Sequence, residues 1–254
     1  MNTSPRTLAR YAGGLYLVNI VAGAFAIGFV RATLFVSDPA VTLHNLQTHE
    51  LLYRSSLVAH VVVTLTNIPL AMIFYELFKV VNRRLALLDV FFTLVATAIE
   101  AAGILDQFTP LTLLDKGGAL PPGQLQALVS VHTGLATVDY DIYTVFYGFD
   151  LVCVGYLVLR STFLPRAIGV LVALDAVAYV VNGFADQLAP GFAAHLVPWI
   201  QLPAILGEGS LCLWLLVRGL DAERWAAWTQ PAGPAEWHTA STLLPSGSRT
   251  KAPK

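Results

Sequence analysis

The sequence predicts an all-α membrane protein, a bundle of six transmembrane helices with short inner hairpin turns and longer outer loops. Three observations predict it. Of 254 residues, 56% are hydrophobic and 12% charged, against about 25% charged in soluble domains, and the mean hydropathy is +0.65. Six apolar runs approach the roughly 20 helical residues that cross a hydrocarbon core. When the runs are threaded back and forth, all but three of the 15 basic residues fall on one side.

The runs are 11–30, 57–78, 85–105, 142–159, 167–185 and 196–217. In lipid a backbone has to satisfy its own hydrogen bonds, so these runs are helices. The period-two alternation of a membrane barrel is absent. Arg6 and Arg10 precede the first run, and Ala24-Phe25-Ala26 imitates a signal-peptide cleavage site. The apolar stretch continues past that site to Val30, so it reads as a span.

The basic residues orient the bundle. With the amino terminus inside, Arg6, Arg10, Lys79, Arg83, Arg84, Arg160, Arg166 and Arg218 lie on inner segments, with Arg224, Arg249, Lys251 and Lys254 in the tail. Only Arg31, Arg54 and Lys116 fall outside. The positive-inside rule then places both termini in the cytoplasm and the chain in the cell's inner (plasma) membrane. Residues 1–10 form a cytoplasmic amino terminus, 11–220 the membrane domain and 221–254 a cytoplasmic, disordered tail rich in Ala, Pro, Ser and Thr. Trp225 and Trp228 are placed to rest among headgroups.

The inner connections, KVVNRRLALL and RSTFLPRAIG, are short enough for tight antiparallel hairpins. The outer ones are longer. The first holds His44, His49 and Glu50 and reads as a surface helix. The second holds Pro121-Pro122-Gly123, a turn signal, followed by Leu125, Leu128, Val129 and His132 at helical spacing. Gly13, Gly14, Gly23, Gly148 and Gly155 are expected to let helix backbones approach closely.

Ionisable groups inside a bilayer cost about 2.5–3.5 kcal/mol each at the centre, so they mark candidate sites. Asp150 lies in the fourth run, Asp175 in the fifth and Glu208 in the sixth, each about ten residues from its inner end and so at similar depth. Glu100 lies in the outer half of the third run. His60 and Asn67 occupy the second. No Lys or Arg falls within a spanning core to neutralise them, so not all these carboxylates are ionised in a dry interior; some are protonated, solvated in a cavity or bound to a cation. The alternative is that neutral carboxyls serve as interhelical hydrogen-bond glue. Asp139, Tyr143, Phe146 and Asp150 share one face of the fourth helix, with Tyr140 and Tyr147 beside it. In the sixth run, Pro198 and Pro203 remove backbone donors, and Gly207 and Gly209 flank Glu208. A loosened helix beside a buried acid suits a transporter as well as an ordinary proline kink.

Cys153 and Cys212 both sit in apolar runs and read as small buried hydrophobes. His44 and His49 do not share a helix face, and haem would want paired histidines on facing helices. A zinc held by His60, His132 and Asp139 is the one metal arrangement the sequence leaves open; no metal and no cofactor is expected. There is no phosphate-binding glycine loop and no nucleophile elbow. A net charge of −1 gives no reason to expect nucleic acid. The expected partners are the lipid bilayer and a small-molecule or ion substrate.

RYAGGLYLVNIVAG, VNRRLALL, FYGFDLVCVGYLVLRSTFLPRAIGVL and LGEGSLCLWLLVRGL together resemble the bacterial family catalogued as domain of unknown function 4386, over roughly residues 6–220. GYLVLRSTFLPR and GEGSLCLWLL are its most specific parts. The family pattern has an Arg early in the third helix where this chain has Thr93, so no role of that Arg carries over. The resemblance implies a multi-pass membrane protein and supplies no reaction. Three functions stay open: a small transport or permeation protein for a proton, cation or small amphiphile; a membrane-embedded enzyme acting on a lipid or isoprenoid; and a non-catalytic structural or sensing protein.

Overall fold

The computed structural model describes residues 4–116, 121–196 and 199–229. Among these residues there is no strand, and five helices are long and apolar enough to cross a membrane. The first, α1 (Pro5–Gly23), is capped by Ser4, whose hydroxyl accepts from Thr7 N–H at 3.2 Å, with Pro5 in the first turn. It runs without a break into a π-helical stretch, Ala24–Arg31, and ends at Leu34. Each π turn takes in one residue more than an α turn, which re-aims the side chains beyond it. Arg31 is the last residue of that stretch.

A short helix, α2 (Pro39–Thr48), follows and leads into α3 (Glu50–Gln107). Laid straight, α3 would be about 87 Å long. It is not straight. Tyr53 donates its hydroxyl to the Gln107 carbonyl at 2.6 Å, and His60 Nδ1 lies 3.1 Å from Gln107 Oε1. The chain therefore folds back on itself, and the reversal is at Asn82, whose backbone (φ −155°, ψ 101°) is extended. Its side-chain oxygen accepts from Arg84 N–H and Leu85 N–H, both at 3.1 Å. Asn82 is thus the N-cap of the returning arm, and α3 is a hairpin of arms 50–81 and 83–107.

Then come α4 (Thr109–Lys116), α5 (Pro122–Arg160), α6 (Arg166–Leu188), α7 (Pro190–Leu196), a 3-10 turn at Trp199–Gln201, α8 (Leu202–Val217) and α9 (Ala222–Thr229). The packing closes a ring in which α1 meets α3, α3 meets α5, α5 meets α6, α6 meets α8, and α8 returns to α1. One end of the ring holds the Asn82 reversal, the turn between α5 and α6, and Gly219, whose φ of 68° stops α8. This turn end also gathers basic residues: Arg6 and Arg10 donate to the carbonyls of Arg218 and Val217, and Arg224 donates to the Thr162 carbonyl. The other end, the loop end, is covered by α2, α4 and the start of α5.

Of the segment expected to be disordered, residues 222–229 are helical, because α9 docks on the turns. Trp225 donates its indole N–H to the Leu77 carbonyl and Trp228 to the Thr162 hydroxyl, both at 2.9 Å. The rest of that tail, and Pro198, lie outside the described residues. The glycine expectation holds in part. A Cβ on Gly13 would fall on the Leu216 backbone nitrogen, one on Gly148 would come within 2.7 Å of Val180, and one on Gly155 within 3.1 Å of the Ala173 nitrogen. Gly14 and Gly23 have open space beside them.

Candidate functional site

The candidate residues separate into three groups. The first is at the loop end. His60, Glu100, Asp139 and Tyr143 line one cavity of about 120 Å³ with Arg31, Gln107 and Tyr140. A smaller cavity of about 20 Å³ adjoins it, sharing Arg31, His60, Gln107 and Ala136 and adding His132 and Asp106. Among the described residues, three buried atoms on the larger cavity have no hydrogen-bond partner: His60 Nε2, Glu100 Oε2 and Asp139 Oδ2. His132 Nδ1, on the smaller one, is the same. Buried polar atoms are paired in the great majority of cases, and a polar space of this size is suited to water or a polar guest. Arg31, just past the end of the first expected span, also lines both cavities, and among the described residues it forms no ion pair with Glu100 or Asp139. Arg31 is brought in by the π-helical stretch and is held by donating to the Thr137 hydroxyl at 2.6 Å.

The second group surrounds Glu208. Its Oε2 accepts from Tyr16 at 3.0 Å and Tyr147 at 2.8 Å, and its Oε1 from Tyr179 at 3.0 Å. Three helices, α1, α5 and α6, thus tie themselves to one carboxylate on α8. The phenol rings brace each other: Tyr143 stacks on Tyr147 at 5.5 Å, and Tyr147 meets Tyr179 edge-on at 5.3 Å. Asp175 is packed against Gly207, where an added Cβ would come within 2.8 Å of the Asp175 Cβ. Asp175 is 0% exposed, and both its oxygens lack partners.

The third group is an acid pair. Asp150 accepts from Thr93 Oγ1 at 2.7 Å, and Asp89, one turn before Thr93 on the same face of α3, is buried as Asp150 is. Among the described residues no ion pair reaches either acid, so the two are not both ionised. Asp150 bonds to the returning arm of α3 rather than to Glu208, and it lies in a different group from Asp175 and Glu208. Asn67 joins none of these groups. It accepts from Asn19 Nδ2 at 2.6 Å and ties α3 to α1.

The possible zinc arrangement is not assembled. His60, His132 and Asp139 line adjoining spaces, and among the described residues no group of three His, Cys, Asp or Glu is placed to hold a metal ion.

Sequence reasoning passed over Asp89, Arg31, Gln107, Tyr16 and Tyr179. Asp89 had a signal: with Thr93, Thr97 and Glu100 it follows i, i+4, i+8, i+11 spacing, the same kind of stripe that singled out Asp139 to Asp150. Arg31 was readable only as a loop charge without the π-helical stretch. The tyrosines had no signal, because nothing in a linear pattern says which hydroxyls meet across a bundle.

A family model described as "Domain of unknown function (DUF4386)" matches residues 11–219, and the chain belongs to that family. No curated protein and no solved structure matches it.

Proposed function

We propose that this member of the family is a six-span plasma-membrane protein that admits a proton, a cation or a small cationic amphiphile into a cavity open toward the outside. The observation that carries the reading is the convergence of His60 Nε2, Glu100 Oε2 and Asp139 Oδ2, all unpartnered, on one cavity. The lining suits a cation. Two carboxyl groups supply oxygen acceptors and the rings of Tyr140 and Tyr143 supply π faces, while Arg31 sits at the wall. The six spans rest on the Asn82 reversal, which divides α3 into two arms each long enough to cross about 30 Å of hydrocarbon. The orientation rests on the basic residues of the turn end, which is cytoplasmic by the positive-inside rule. Residues 11–220 form the membrane domain, with both ends cytoplasmic.

Two measurements test this. Reporter fusions after Arg84, Arg166 and Arg218 should report cytoplasm, and fusions near Gly117 and Pro190 the outside; a cytoplasmic signal near Gly117 breaks the six-span topology. In proteoliposomes, Glu100→Gln and His60→Ala should fold normally and lose saturable binding or uptake of small organic cations. Wild-type protein that binds and moves no cation, organic or inorganic, removes the reading. One observation favours a second reading, a membrane-embedded enzyme: His60, Glu100 and Asp139 line the same cavity, as acid and base groups would. It requires turnover of a lipid substrate that His60→Ala and Asp139→Asn abolish.

A further inference from the structure

Two polar stripes face each other between the returning arm of α3 and α5. On α3 the stripe is Asp89, Thr93, Thr97 and Glu100; on α5 it is Asp139, Tyr143 and Asp150. The helices are antiparallel, and contacts fix the register at both ends. Thr93 donates to Asp150 at 2.7 Å at the inner end. At the outer end an added Cβ on Gly103 would meet Asp139 Cβ at 3.2 Å and its Oδ2 at 3.3 Å. The seam therefore begins at the cavity, with Glu100 and Asp139, and ends at the acid pair about 16 Å inward.

Along it, four buried polar atoms lack partners: Asp89 Oδ1, Thr97 Oγ1, Glu100 Oε2 and Asp139 Oδ2. Thr97 is the informative one. Helical threonines commonly bond back to a carbonyl three or four residues earlier, as Thr133 does to Val129 at 2.8 Å. Thr97 makes no such bond, although it is buried. Asp89 is 1% exposed, and Phe92 on α3 stacks on Phe149 of α5 at 5.6 Å beside the residues that meet at this end of the seam. The titratable groups near the pair are Cys153 and Tyr143 on α5 and Glu208 across the ring; none of the three is basic.

We propose that this seam is a proton route that joins the outer cavity to the Asp89–Asp150 pair, where a proton is held. Glu100 exchanges a proton with water in the cavity. Water held between the stripes carries it past Thr97 to Thr93, and the Thr93 hydroxyl hands it on to Asp150. Each step breaks one O–H bond and forms another, so no other reactant is needed. Beyond the pair lies the apolar core of Ala86, Leu151, Val154 and Leu157, so the resting protein holds the proton there instead of leaking it. A bound proton at this depth is what a transporter needs to couple solute movement to a proton gradient.

The route starts at the cavity and so rests on the reading above. The test separates the two. Reconstituted protein is moved from H2O to D2O, and the infrared carbonyl band of its protonated carboxyls is followed in time. Part of that band should vanish in Asp89→Asn or Asp150→Asn, which assigns it to the pair. Its deuterium shift should be slowed about tenfold by Thr97→Val and by Glu100→Gln, the weight of roughly one hydrogen bond in the path, with bulk amide exchange unchanged. A band unaffected by either Asp variant, or a shift rate unaffected by both seam variants, overturns the route. Ala136→Cys, on the wall of both cavities, is scored separately with an impermeant thiol reagent added outside. Labelling there with the route overturned leaves the cavity reading standing; no labelling removes the cavity's outward opening and the route with it.

Discussion

Glu208 and Glu100 are the same residue type buried in the same bundle, yet the protein treats them in opposite ways. Glu208 receives three phenol hydroxyls from three helices, and its neighbourhood toward the turn end is closely packed, with Ala12, Leu211, Cys212 and Leu215 in one apolar cluster. Glu100 has an oxygen with no partner and faces a cavity. A fully satisfied network rigidifies a fold, whereas an unsatisfied group in a roomy site marks a place for a guest. The intramembrane acids of this chain are therefore neither all glue nor all pathway. The turn-end half is a clamp, and the loop-end half is a receptacle.

The largest effects should come from backbone contact in the clamp. Gly13→Leu should abolish folded yield, because its first side-chain atom falls on the Leu216 backbone of α8, and over-packing against backbone finds no relief by rotamer change. Gly14→Leu, with open space beside it, should fold like the wild type. Ala136→Leu should also fold, since it grows into a cavity, but should lose cation binding. Size-exclusion profiles of the three variants decide it, and similar losses from Gly13→Leu and Gly14→Leu would break the contrast.

Next are the two glutamates themselves. Glu208→Ala leaves three buried hydroxyls without an acceptor. Interhelical hydrogen bonds in bilayers average about 0.6 kcal/mol each, and an orphaned buried group costs about 1–3 kcal/mol. A loss on the order of 5–10 °C in melting temperature follows. Glu100→Ala removes an atom that was already unpaired, so its melting temperature should stay within about 2 °C while cation binding is lost. Equal destabilisation by the two variants would mean that Glu100 is held by the protein after all.

The helical class, the apolar runs and the stripe from Asp139 to Asp150 were legible in the sequence, because each depends on short-range spacing. The Asn82 reversal was legible too, since a polar Asn followed by two arginines between apolar runs both caps a helix and repels lipid. The cage around Glu208 was not. Helical spacing tells which residues share a face, but Tyr16, Tyr147 and Tyr179 meet only because α1, α5 and α6 pack at one register. Gly13 and Gly14 make the same point at the smallest scale. They are adjacent and chemically identical, and only the position of α8 makes one indispensable. Arg31 needed a local π-helical rotation that no pattern in AFAIGFVR announces.

The smallest expected effect concerns α9, which belongs to the clamp although it lies beyond the last long apolar helix. Its Trp225 ring packs on the turn-end core, and its indole N–H reaches the Leu77 carbonyl near the end of the first arm of α3. A carbonyl oxygen has two lone pairs, so this one can accept from the indole beside its own helix bond. Trp225→Phe keeps an aromatic ring and deletes the donor. The expected cost is about 1 kcal/mol, or roughly 2–4 °C in melting temperature for a chain of this size. Trp225→Ala loses ring contact as well and should cost more, while cation binding in the loop-end cavity stays at the wild-type level in both. A melting temperature unchanged in Trp225→Ala would detach α9 from the clamp. Weakened cation binding in Trp225→Phe would join the two halves that the comparison keeps apart.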